Sequence, residues 1–145
     1  MRLRRALILV PIALLAWGIS RLTASPSEPS AVTRTVEIQN QTVADYNKIL
    51  NNMSNNPGNI SELLSKIQIF SSDSLRLAHN ENTSNAAFND LTIDVVTRER
   101  TLIAELNSFA TDPTQSKINS IQSDVAKLNA SIRKSNTLLK NAYGA

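Results

Sequence analysis

The chain has no cysteine, one histidine, three glycines and 4% aromatic residues among 145 positions. Without cysteine it has no disulfide framework, no thiolate zinc site and no cysteine nucleophile, and it lacks the lipid-bearing cysteine of a bacterial lipoprotein. So few glycines exclude Gly-rich phosphate loops and argue against an all-β fold with many tight turns. The length suits one domain with its own core and is too short for two.

The formal charge of +3 misrepresents most of the chain. Arg2, Arg4, Arg5 and Arg21 fall in the first 24 residues, which hold no acid, and the rest carries eleven basic against twelve acidic residues. Nucleic-acid binding needs clustered cations facing phosphates. The nearest approach is Arg133, Lys134 and Lys140 with Lys127 upstream. These read as a solvated face suited to the negative end of a helix dipole, so no nucleic-acid partner is expected.

Met1 to Arg5 is basic, and Ala6 to Ile19 is an uncharged run of fourteen residues. As a helix it would span about 21 Å, short of the roughly 30 Å hydrocarbon core. Its length, basic start and small following residues predict a secretory signal peptide over 1–24, with candidate cleavage after Gly18 or Ala24. The rival is an uncleaved transmembrane anchor over residues 3–22, with Trp17 and Arg21 at the far interface. Either way the remainder is exported: periplasmic or secreted after cleavage, otherwise held outside the inner membrane. Residues 25–30, SPSEPS, read as a Ser/Pro spacer.

From Ala31 to the end the hydrophobic period is helical. Val32, Val36, Val43, Tyr46, Leu50 and Met53 form a heptad seam, with Gln39 as its one polar layer and Tyr46's hydroxyl directed to the bundle edge. The stretch 51–59, with Pro57 and Gly58, predicts a break. Ile60, Leu63, Ile67, Phe70 and Leu77 make the second seam, capped by Asn59 or Ser61 and weakened by Ser71, Ser72, Asp73 and Ser74. Residues 79–85 read as a turn, although one helix over 60–109 and a dimerising three-helix form are alternatives. The third seam is Phe88, Leu91, Val95, Leu102, Leu106 and Phe109, with Asp94 and Arg98 spaced for an i, i+4 pair. Asp112-Pro113-Thr114-Gln115 predicts a capping box with Asp112 as the cap. Ile118, Ile121, Val125, Leu128, Ile132, Ser135 and Leu139 follow, and Gly144 lies past the end. The expected fold is all-α: an antiparallel bundle of four helices over 31–145, behind a signal peptide or anchor.

The chemistry is mostly excluded. His79 is the only imidazole, sits beside a turn, and has no triad context. One histidine and no thiolate cannot build a transition-metal site, and the Glu-x-x-His pairs of di-iron bundles are absent. Asp90 and Asp94, with Glu105 farther along, are the only candidate carboxylate pair, and no EF-hand loop occurs. Sequons start at Asn40, Asn52, Asn59, Asn82 and Asn129, close to the number expected by chance from this Asn, Ser and Thr content. Phe70, Phe88 and Phe109 fall on seams and read as core, and Tyr143 as a C-terminal contact. No catalytic residue, cofactor or metal ligand is therefore assigned.

The expectation is a non-catalytic exported bundle working through protein–protein contacts, as monomer or homodimer, with membrane contact only through an uncleaved 3–22. Two alternatives stand. One is a small-ligand-binding bundle. The other is a membrane-tethered coiled-coil tether or lysis factor, similar to phage inner spanins in length, single N-terminal span and heptads. Catalysis would require a polar cluster buried in the core.

Overall fold

A computed structural model of the chain describes residues 28–80 and 83–143, with side chains from Ala31 to Ala142. The leader, its two candidate cleavage sites, residues 25–27 of the spacer, the sequon at Asn82, the Tyr143 side chain and Gly144 lie outside the described residues. The described chain is four helices: α1 (Glu28–Asn55), α2 (Ile60–Ala78), α3 (Ala86–Thr111) and α4 (Gln115–Tyr143). Among the described residues there is no strand, and no helix is long and apolar enough to cross a membrane.

The helices form a bundle in which each pairs most closely with its neighbour in sequence. Cross-helix bonds fix the directions. Asn80 at the end of α2 donates to Thr35 near the start of α1, Ser74 of α2 meets Glu99 of α3, and Asp94 of α3 meets Ser131 of α4. Thr35–Asn80 joins an early position on α1 to the end of α2, and Asp94–Ser131 an early position on α3 to the second half of α4. Leu77, late on α2, and Thr92, early on α3, share one wall, so consecutive helices run antiparallel. The seams turn inward onto one core that includes Val36, Val43, Ile67, Phe70, Phe88, Leu102, Leu106, Ile121, Leu128 and Ile132. Burying each such side chain stabilises the fold by about 1.5–3 kcal/mol before ordering entropy is counted.

Helix α2 ends at Ala78 and α3 begins at Ala86, so 60–109 is two helices rather than one. Thr83 holds the turn: its N–H and hydroxyl both donate to Asn89 Oδ1, at 2.9 and 2.8 Å, and Asn89 Nδ2 returns a bond to Thr83 O at 2.7 Å. Asn85 caps α3 by accepting from Phe88 N. No Gly or Pro is needed because Thr and Asn side chains satisfy the free backbone groups. Asn59 caps α2 as expected, accepting from Glu62 N at 3.1 Å while its amide donates to Glu62 Oε2. The serine-rich middle of α2 stays helical, with Asp73 and Ser74 buried.

Five expectations are corrected. Helix α1 begins at Glu28, inside the spacer; Pro29 sits in the first turn, where the missing N–H costs no hydrogen bond. It also runs through 51–55, so the break is confined to 56–59. Ile49 is fully buried and Leu50 only half-buried, because Ile49 fits the spacing between Tyr46 and Met53 equally well. Tyr46 is fully buried against Phe70, ring centroids 5.6 Å apart, and its hydroxyl has no partner. That burial pushes its pKa well above the usual phenol range. Finally, Thr114 rather than Asp112 caps α4, accepting from Lys117 N at 3.2 Å. Asp112 ends α3 and its carboxylate pairs with Lys117 Nζ at 3.2 Å.

A polar layer in the core and the cavity beside it

Each seam carries one polar side chain where a hydrophobic residue would be expected: Gln39 on α1, Ser74 on α2, Glu99 on α3 and Ser135 on α4. All four are at most 1% exposed. Ser74 Oγ donates to Glu99 Oε1 at 3.2 Å, tying α2 to α3 inside the core. Gln39 lies close enough to Glu99 to favour the charged carboxylate, but neither of its amide atoms reaches hydrogen-bond geometry, and Glu99 Oε2 has no partner. Burial dominates the balance: it raises the Glu99 pKa to about 8, against the weaker opposing pulls of Gln39 and Ser74. Glu99 therefore carries its proton at neutral pH. Native cores leave few buried polar atoms unpartnered, and each normally reflects a constraint other than packing.

The sequence named Gln39 and Ser135 as seam positions but missed Ser74 and Glu99. The signal was present. Phe70 to Leu77 and Val95 to Leu102 are seven-residue steps, as Val36 to Val43 is, and a seven-residue step leaves one inward position open. By local pattern Ser74 is a helix-weakening residue, and Glu99, between Arg98 and Arg100, lies in a run that looks like a solvated face. A polar cluster is thus buried in the core, so the condition set above for chemistry is met. A carboxyl that keeps its proton to about pH 8 has general-acid character. Glu99 lines neither cavity at this end of the bundle.

A half-open cavity of about 220 Å³ lies where α1, α2 and α3 meet near the α2–α3 turn. Its apolar wall is Leu77, Ala78, Ile93 and Val96, and its polar wall is Thr35, Asn80, Asn89, Thr92, Thr97 and Arg100. Arg100 is the only charged side chain among them, and it makes no ion pair among the described residues. Thr35, Leu77 and Thr92 also wall a narrower gap that reaches Gln39, Val95 and Ser135. Gln39 thus lies on the far side of these three residues from the cavity and does not line it.

The other candidates fall elsewhere. His79 is exposed and only its backbone acts, closing α2. Asp90 is exposed and Glu105 half-buried. Asp94 accepts from Ser131 and from Arg98 Nε, the latter at 3.2 Å. The Ser131 bond, with Arg98 and Lys134 beside it, holds its pKa below the usual carboxylate range. It is an α3–α4 clamp, and Asp90 takes no part. Among the described residues no group of three His, Asp or Glu could hold a metal ion. Phe70, Phe88 and Phe109 are core, and Lys127, Arg133, Lys134 and Lys140 are solvated. Of the sequons, Asn52 and Asn129 are buried, and Asn59 is occupied as a cap. No family model, no curated protein and no solved structure matches this chain.

Proposed function

We propose that the protein is a non-catalytic, exported helical-bundle binding protein whose recognition site is the cavity between α1, α2 and α3. The observation that carries this reading is the polar layer beside that cavity. A four-helix bundle is more stable with apolar side chains at every seam position, and buried polar groups left half-satisfied cost stability. Their retention on facing helices, next to an opening with mixed polar and apolar walls, has the composition of a small-molecule site. The reading is non-catalytic because the carboxyl with a raised pKa, Glu99, does not line the cavity. The basic, apolar leader supports export, and the account holds whether 1–24 is removed or 3–22 remains as an anchor.

The test is a thermal-melt screen of the purified protein against a broad panel of small metabolites. A ligand at a hundred times its Kd stabilises the fold by about 2.7 kcal/mol, a shift of several degrees in Tm. A panel that leaves Tm unmoved throughout contradicts the reading. The protein-contact reading keeps one supporting feature: Ile93, Ile69, Leu75 and Leu64 are 62, 50, 47 and 43% exposed. Co-purification of a stoichiometric protein that is lost on Ile69→Ser or Leu75→Ser would favour it.

A further inference from the structure

The hydrogen-bond directions inside the cavity constrain what fits it. Thr92 Oγ1 donates to Phe88 O at 3.0 Å, and Thr97 Oγ1 to Ile93 O at 2.9 Å. Each hydroxyl has spent its only proton on its own helix, so what it offers the cavity is acceptor lone pairs. The only cation on the wall is Arg100, and no acid accompanies it. Guanidinium favours planar oxyanions, carboxylates above all, because its N–H groups match them two at a time. Leu77, Ile93 and Val96 complete the wall with apolar surface.

Resting on the binding reading above, we infer that this cavity takes a small carboxylate that also bears hydroxyl or amino donors. Arg100 holds the carboxylate, the Thr92 and Thr97 oxygens accept from the donors, and Leu77, Ile93 and Val96 cover a short apolar portion. Gln39, fully buried, lies behind this wall and lines only the closed gap next to it, so the ligand contacts are those of the cavity wall itself. The volume sets the size. A 150 Å³ engineered cavity holds benzene, so about 220 Å³ suits about nine non-hydrogen atoms. A peptide C-terminus carries the same chemical groups, but the size favours a free acid.

The experiment titrates the full chain with 2-hydroxyisovalerate, its amide, isovalerate and an N-acetyl dipeptide acid. Binding is read by calorimetry, and its location by the methyl NMR signals of Leu77, Ile93 and Val96. The inference expects the hydroxy acid to bind and to move those methyls. The amide and the donor-less acid each bind about tenfold more weakly. Arg100→Gln, at an exposed position that does not disturb the core, weakens the hydroxy acid to the level of the amide. Equal binding of acid and amide, or no effect of Arg100→Gln, overturns the carboxylate assignment while the cavity remains a binding site. Tighter binding of the dipeptide acid overturns the free-acid assignment. No movement of the cavity methyls with any compound overturns the inference, and the binding reading itself then falls only if the broad melt screen also fails.

Discussion

Replacing Glu99 with glutamine removes the ionisation at the centre of the bundle while keeping the side chain's size and an acceptor for Ser74. In the folded chain the carboxyl keeps its proton up to about pH 8, whereas the ordinary glutamate value is 4.5. Below that ordinary value both folded and unfolded chains carry the proton, and the group has no effect on stability. Between 4.5 and about 8 the folded state binds a proton that the unfolded state has lost. Stability therefore falls as pH rises, by about 1.4 kcal/mol per pH unit. The whole window amounts to roughly 5 kcal/mol, and the decline levels off above it. That is a large share of the 5–15 kcal/mol typical of a small domain. Glu99→Gln has no proton to lose, so its stability should stay nearly level over the same range. Urea unfolding followed by helical circular dichroism, at intervals from about pH 5 to about pH 9, measures both curves. The two proteins should agree within about 1 kcal/mol at the acid end. The variant should be the more stable at the alkaline end, by several kcal/mol. A parent whose stability does not decline through this range, or a variant that declines in parallel with it, refutes the reasoning.

Further substitutions test separate parts of the structure. Leu102→Ala, at a fully buried seam position, should cost about 2–5 kcal/mol in urea unfolding through lost burial and the cavity left behind. Thr114→Ala should cost about 1 kcal/mol because it removes the α4 cap, and Asp112→Ala only a few tenths; the reverse order would reinstate Asp112 as the cap. Asp94→Asn should cost a few tenths of a kcal/mol near neutral pH, since its carboxylate is 43% exposed and solvent screens the clamp. Because the folded pKa of Asp94 is lowered, its contribution is present above the ordinary carboxylate range. It is lost as pH falls through the lowered value, so parent and Asp94→Asn should converge in acid.

The helices were legible because their information is local. Asn59 announces α2, and the unbroken 3-and-4 spacing from Ile118 to Leu139 announces α4. The α2–α3 turn was legible as a polar run, but not its Thr83–Asn89 lock, which depends on two residues six apart meeting in space. The cap of α4 was misplaced because Asp112 and Thr114 are both good caps, and only the backbone decides which faces the first turn. The polar layer was half-visible. Gln39 stands alone among valines on its seam, whereas Glu99, flanked by two arginines, has the local look of a surface residue. Its inward position follows from the Val95–Leu102 step on its own helix, but its partner, Ser74 on another helix, is something that no single-helix pattern contains. The cavity was not legible, because Thr35, Leu77 and Thr92 come together only when three helices pack.

The central claim is that the polar layer beside the cavity costs the fold stability and does not hold it together. The most direct test is urea unfolding at pH 7 of the double variant Gln39→Met/Glu99→Met, which keeps side-chain volume and removes the unpartnered amide and carboxyl. The account predicts a variant more stable than the parent, with the same cooperative transition. A variant that is less stable, or that loses its cooperative transition, would mean that the layer holds the bundle together and would contradict the claim.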